Sequence, residues 1–363
     1  MIIAYLMTLV LVIPVLVFQE LLSKNKKMGN VRYRYTIVAW YVVFVFVIIA
    51  GLRDTATISI EHLRQSDEQT YRRTFDLLIG ASFSLSNIAS FEWGRYFLDW
   101  TLANVFKDSQ IWVFTYALLT NYLYIQTIKK YVKPFWLGVL LYVTVGVFTF
   151  QMNGTTSVLA SAILLKGIDY VVDRKFWRYL LVVIVAGGIH FSAWIVLPLY
   201  FVLTKKSFTK ATPLWIVVSV IFMLGFNSIA NFILPKTPYT HYLYQINSEE
   251  AYGVNLLRVI IFSAVYIFIL IFVKKIKNHS VIDIYFTNIV IILLAINISS
   301  SVYVYIYRFN EIFIFGLIYL LPRVIYSFSG SVRYLVLLLF VISFILFGLQ
   351  QNWYGLYENI IFN

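Results

Sequence analysis

The run IVAWYVVFVFVIIAG at Ile37–Gly51, and its late counterpart YLVLLLFVISFILFGL at Tyr334–Leu349, decide the fold class. Both carry no charge, and apolar side chains fill odd and even positions alike. A membrane β-strand alternates apolar and polar over ~10 residues. These runs are therefore helices, which satisfy their own backbone in lipid. Outward from them the composition agrees: 61% of the 363 residues are hydrophobic, 12% are charged and mean hydropathy is +0.82. A soluble domain is about 25% charged. A cytosolic enzyme, a secreted domain and a nucleic-acid-binding module are excluded. The absence of cysteine removes disulfides, thiol nucleophiles, thiolate zinc sites and iron–sulfur clusters.

The pattern predicts an all-α polytopic membrane protein with about 11–12 transmembrane helices. Spans are expected near 2–22, 33–51, 109–128, 134–151, 153–172, 178–203, 212–234, 254–273, 281–304, 309–326 and 332–349. Met1–Phe18 lacks a preceding basic residue and a small-x-small cleavage site, so it reads as a first span and not as a cleaved signal. No internal repeat or linker divides the chain, so 1–363 is one transmembrane domain, with 52–108 an extracytoplasmic helical loop and 235–253 a second.

The net charge of +13 reads as cytoplasmic-loop charge and not as a nucleic-acid surface. Basic groups recur at Lys24–Arg34, Lys129–Lys133, Arg174–Arg178, Lys205–Lys210, Lys274–Lys277 and Arg323–Arg333. With the N-terminus outside, every group is cytoplasmic provided 178–203 is a re-entrant pair of short helices broken near Gly187-Gly188-Ile189-His190. The alternative is one straight span, with Lys205–Lys210 violating the charge rule.

Twelve of the sixteen acidic residues then face outward. In 52–108, Asp67, Tyr71 and Phe75 share one helical stripe. Glu92, Arg95, Tyr96 and Asp99 fall at i, i+3, i+4 and i+7, with Trp93, Phe97, Trp100 and Asn104 on another side. This second helix reads either as an interfacial helix with aromatic anchors or as a lid over a cavity. Arg53, Arg258, Arg308 with Glu311, and His190 sit at span ends on the outward side. Charge in hydrocarbon costs ~2.5–3.5 kcal/mol even on lenient scales. Guanidinium forks suit phosphate, so a shared anionic ligand is one reading and interfacial snorkelling the other. Tyr239, Tyr242, Tyr244 and Tyr252 crowd 235–253, where aromatic faces suit sugar rings or form an ordinary interfacial belt.

Three local patterns resemble the EpsG family of Wzy-like polysaccharide polymerases. Gly51-Leu52-Arg53 followed by Asp67, Tyr71 and Phe75 is similar to G-L-R then D-x-x-x-Y-x-x-x-F. Glu92-Trp93-Gly94-Arg95-Tyr96 is similar to E-x-G-[Y/F], and His190-Phe191-Ser192-Ala193 to H-[Y/F]-S-A. Where the family has N-x-x-R-Q, this chain reads Asn153-Gly154-Thr155-Thr156-Ser157, without the arginine. The resemblance implies a GT-C-like or Wzy-like glycosyltransferase in the bacterial cytoplasmic (inner) membrane. It would move a glycan from one undecaprenyl diphosphate onto the non-reducing end of another lipid-linked repeat unit at the outer face. Expected partners are the lipid-linked oligosaccharides as donor and acceptor, membrane lipid and a chain-length regulator protein. No metal, nucleotide sugar or other cofactor is expected.

Displacement at an anomeric carbon needs a stabilised leaving diphosphate and a base for the acceptor hydroxyl. Arg53, Arg95, Arg258 and Arg308 are assigned to the diphosphate, and Tyr71 and Tyr242 to the glycan. Glu92, Asp67 and His190 are the base candidates. The alternatives are a transporter or flippase of lipid-linked sugars, an O-antigen-ligase-like transferase, a membrane acyltransferase using His279, and a structural subunit. A transporter would show matched, interrupted halves.

Overall fold

The computed structural model describes residues 2–23, 31–54, 67–84, 92–203, 225–236, 240, 243, 253–277, 279–302, 304–353 and 358–359. Helices dominate them. α1 (Ile2–Ser23) and α2 (Val31–Gly51) run antiparallel, pinned by the Tyr41 hydroxyl donating to the Leu11 carbonyl at 2.9 Å. The segment Arg53–Asp54 after α2 pairs antiparallel with Glu358–Asn359, Arg53 opposite Asn359. α3 (Asp67–Asp76) and α4 (Trp93–Phe106) form the polar insertion. α4 stops at Lys107, which adopts a left-handed φ of 57°. Asp108 then starts α5 (Ser109–Tyr131), its carboxylate accepting the Gln110 N–H at 2.8 Å.

α6 (Phe135–Thr144) and the short α7 (Val147–Phe150) lead to α8 (Thr155–Leu164), which continues through a tight turn into α9 (Ile168–Val172). α10 (Phe176–Ile189) ends at His190. After α11 (Phe226–Ile233) come α12 (Leu256–Phe272) and α13 (Val281–Ser299), the latter opened by a Ser280–Asp283 capping box. α14 (Val304–Tyr307), α15 (Asn310–Phe313) and α16 (Phe315–Ser327) form one interrupted helix, followed by α17 (Gly330–Trp353).

Among the described residues, five helices are long and apolar enough to cross a membrane: Ile2–Leu22, Thr155–Val172, Leu256–Lys275, Val281–Ser299 and Gly330–Gln351. Shorter apolar helices, Tyr35–Gly51 and Phe176–Ile189 among them, pack with these. The architecture is that of an all-α polytopic membrane protein. Several polar groups inside it pair with one another, as a low-dielectric interior favours. The Asn121 and Gln151 amides exchange hydrogen bonds at 3.1 and 3.2 Å, and the Tyr142 hydroxyl donates to Asn121 at 3.0 Å.

The bundle has two chemically different ends. At one end the basic groups are tied down. Lys129 donates to Thr36 at 3.0 Å, Lys130 pairs with Asp169, and Arg323 Nε lies 2.7 Å from Asp283. The other end carries Arg53, α3, α4, His190 and Arg308.

The segment 178–203 is not one straight span. α10 climbs away from the basic end and stops at His190, whose φ and ψ of −150° and 123° are extended. Two 3-10 turns, Phe191–Val196 and Pro198–Phe201, then run back beside it. Tyr179 donates to the Val196 carbonyl at 2.9 Å, Arg174 to the Tyr200 carbonyl at 3.2 Å, and Asn288 to the Leu203 carbonyl at 2.7 Å. At Leu203 the chain is thus back at the basic end, as a re-entrant pair requires. The break differs in one respect from the expectation. Gly187 and Gly188 stay helical, and the turn falls on His190.

The glycines serve close packing instead. A Cβ on Gly188 would lie 2.6 Å from the Trp93 ring, and one on Gly187 would lie 2.3 Å from Trp194 Nε1. A Cβ on Gly94 would lie 3.1 Å from the Gly188 carbonyl carbon. Backbone meets backbone here, and this brings the start of α4 against the end of α10.

Candidate functional site

The junction of α4 and α10 holds a polar cluster at the end of the bundle away from Lys129 and Lys130. Glu92 stands just before α4, at the N-cap position, and caps nothing there. Its side chain reaches across to α10. Oε1 lies 2.9 Å from His190 Nδ1 and accepts the Phe191 N–H at 3.3 Å. Oε2 lies 2.9 Å from a terminal nitrogen of Arg95, one turn along α4. The Glu92 side chain is 11% exposed. A carboxylate so enclosed is tolerated because both oxygens accept hydrogen bonds, one of them charge-assisted.

Three further elements close around this pair. α3 brings Tyr71, whose ring lies 5.4 Å from the Arg95 guanidinium carbon. α8 brings Thr156, which donates to the Tyr71 oxygen at 3.0 Å and stands 3.5 Å from His190 Nδ1. Burial pushes the Tyr71 phenol up to about 12, against the Thr156 hydrogen bond and the Arg95 charge, which lower it. Tyr71 is therefore a neutral phenol at physiological pH. α5 supplies the anchor behind Arg95. Asp99, the next polar residue on the α4 stripe, accepts from Trp112 Nε1 at 2.9 Å and from the Tyr116 hydroxyl at 2.7 Å. Burial raises the Asp99 carboxyl to about 6, opposed by the Tyr116 hydrogen bond and the Arg95 charge.

The rim continues through α3. The Asp67 backbone N–H donates to Asn153 at 3.2 Å, and its carboxylate lies 3.4 Å from Arg308. Arg308 belongs to the short turn between α14 and α15, so this pair ties the C-terminal half of the bundle to the insertion.

The family comparison bears on the whole of this arrangement. The model of the EpsG family matches residues 40–361. The chain belongs to the EpsG family. Neither the curated proteins nor the solved structures contain a match to it. The EpsG assignment covers every residue of the cluster and supports a part in polysaccharide biosynthesis, as a polymerase acting at the membrane on lipid-linked sugars.

Against that family frame, the expected site residues divide into three groups. Glu92, His190, Arg95 and Tyr71 come together, and Asp67 with Arg308 borders them. Arg53 and Arg258 lie at the same end in other company. Arg53 is buried and donates to the Ala50 carbonyl, closing the last turn of α2. Gln110 donates to the neighbouring Gly51 carbonyl and accepts from Arg72 at 2.8 Å. Arg258 belongs to a second polar cluster. It donates to the Tyr307 hydroxyl at 2.5 Å and to Gln351 at 2.9 Å, and its guanidinium lies 4.3 Å from the Tyr307 ring centre. Tyr242 lies outside the described residues.

Sequence reasoning did not find Thr156, Asn153 or the Gly94–Gly188 contact. The first two sit in the Asn153–Ser157 stretch, where the family resemblance points only to a missing arginine. Polar residues bunched at the start of an apolar span were the available signal.

Proposed function

We propose that this chain is a polysaccharide polymerase that joins polyprenyl-diphosphate-linked glycans at the outer face of the bacterial cytoplasmic membrane. The observation that carries the reading is the Glu92–His190 pair beside Arg95, set at the end of the bundle opposite Lys129, Lys130 and Lys175. The positive-inside rule puts the lysine end in the cytoplasm and hence this site outside. Lipid-linked glycans are the substrates available there without nucleotide sugars.

Glu92 holds the Nδ1–H of His190, so the lone pair of the neutral imidazole is on Nε2. Nε2 takes the proton of an acceptor sugar hydroxyl as its oxygen attacks the anomeric carbon of the donor glycan. The bond from that carbon to the diphosphate oxygen breaks, and the electron pair leaves with the carrier diphosphate. Arg95 and Arg308 face the charge that develops on the diphosphate. Tyr71, a neutral phenol, offers a hydrogen bond to sugar or phosphate. The products are a longer glycan on one carrier and a free polyprenyl diphosphate. The proton on His190 passes to the diphosphate or to water.

The test uses purified protein in liposomes with lipid-linked repeat units as the only substrate. The reading expects glycans of several repeats to accumulate with release of polyprenyl diphosphate. Repeat units that stay single, but cross the bilayer faster, would overturn it in favour of a flippase.

A further inference from the structure

We propose that the isoprenoid chain of the carrier lies along the exposed stripe Val185, Leu181 and Trp177 of α10, with Trp93 covering its upper end. This rests on the polymerase reading and names where the lipid half of its substrate sits.

α10 has one apolar face turned outward. Trp177, Leu181 and Val185 follow at i, i+4 and i+8 and are 75%, 63% and 48% exposed. The remaining faces are buried through Tyr179, Val183 and Ala186. The stripe leads upward to Gly188. There the Trp93 indole lies directly on the helix backbone, in the space where any side chain would need to be. Trp93 is itself 38% exposed and is the neighbour of Glu92 in the chain. Glu92 in turn holds His190 at 2.9 Å. Exposed hydrocarbon surface and the reacting pair therefore meet within one residue.

Other exposed apolar stripes exist, such as Leu335, Leu339, Ile342 and Leu346 on α17. That stripe has no comparable link to the Glu92–His190 pair and suits bulk lipid. The carrier differs from bulk lipid in needing its diphosphate at the site while its chain stays in hydrocarbon. With a rise of ~1.5 Å per residue, Val185 to Trp177 spans about 12 Å, room for several isoprene units. The flat indole of Trp93 suits the unsaturated chain next to the headgroup. Gly188 keeps that indole pressed to the helix and out of the path.

A photoreactive benzoyl-phenylalanine placed at Leu181, at Val185 or, as reference, at Leu339 tests this in membranes of the full-length protein. The probe is radiolabelled undecaprenyl diphosphate, with excess phosphatidylglycerol or unlabelled undecaprenyl diphosphate as competitors. We expect Leu181 and Val185 to cross-link about tenfold more probe than Leu339, a preference of ~1.4 kcal/mol. Unlabelled undecaprenyl diphosphate should suppress the signal and phosphatidylglycerol should not. Equal labelling at the three positions, or equal suppression by both lipids, overturns the proposal. If elongation of lipid-linked units persists in that case, the chain lies elsewhere and the polymerase reading stands. If elongation is absent as well, the polymerase reading has failed.

Discussion

The Nδ1 atom of His190 stands 2.9 Å from Oε1 of Glu92, and the two residues come from opposite sides of a helix–helix contact in which Gly94 meets the backbone of Gly188. Their spacing is therefore set by how closely α4 can approach α10. Both oxygens of Glu92 already accept hydrogen bonds, so the proposed mechanism gives it the positioning role and gives His190 the proton exchange with substrate.

Glu92→Gln should lower the elongation rate by about 10²–10⁴-fold, the usual worth of an oriented general base. An amide cannot accept from His190, Phe191 and Arg95 together. Protein amount in the membrane should stay normal. Quantitative elongation assays beside an immunoblot of the membrane fraction check this, and an unchanged rate contradicts it.

Gly94→Leu should separate the helices, because a side chain there meets the Gly188 backbone and not a movable group. Overpacking typically costs about 1–3 kcal/mol, so the protein should remain folded with a lowered melting temperature in detergent. Elongation should fall far more than stability does. A variant with full activity would show that the close approach is not what sets the pair.

Asp67 and Arg308 should respond unequally. Their ion pair is 33% and 48% exposed, and such a pair contributes about 0–1 kcal/mol to stability. Asp67→Asn should keep elongation within about tenfold, while Arg308→Ala should raise KM for the lipid-linked donor by more, since a guanidinium on phosphate is charge-assisted. Steady-state kinetics on both variants decides. Equal losses would mean that Arg308 acts only through the pair.

The Asp99 carboxyl, raised to about 6, gives a stability term with a definite sign. The folded state binds its proton more tightly than the unfolded chain does, so this contribution is full below pH ~4 and is lost as pH rises through ~6. Asp99→Asn removes it. Melting curves of both proteins in one detergent, from pH 4 to 7, should show the wild type losing stability relative to Asp99→Asn as pH rises. A constant difference across that range contradicts the assignment.

The natural chain has no cysteine, so single cysteines report topology directly. Thr74→Cys, on exposed α3, should react with an impermeant maleimide in intact cells. Lys175→Cys, at the basic end, should react only after permeabilisation. The reverse pattern would invert the protein in the membrane and place the site in the cytoplasm.

Much of this was legible in the sequence. The i, i+3, i+7 stripe of Glu92, Arg95 and Asp99 predicted one polar face on α4, and the structure turns these three inward to His190, Trp112 and Tyr116. The Asp67, Tyr71, Phe75 stripe put Tyr71 into the cluster, with Phe75 fully buried beneath it. The charge rule was satisfied throughout only if 178–203 turned back, with a straight span as the alternative, and the segment does turn back. The grouping of the arginines was not legible. Hydropathy sets the depth of a span end but not its angular position around the bundle, which packing decides. Arg53 and Arg258 lie at the same end of the bundle as Arg95 and still have other neighbours. Thr156 escaped notice for the same reason, and Gly94 and Gly188 because a close approach between two helices leaves no periodic mark.

The most direct measurement is the length distribution of surface polysaccharide in cells whose only copy of the protein is His190→Gln, at matched membrane levels. We expect long polymer to disappear and single lipid-linked repeat units to accumulate outside the membrane. Polymer of wild-type length in those cells would contradict the assignment of His190 as the proton acceptor.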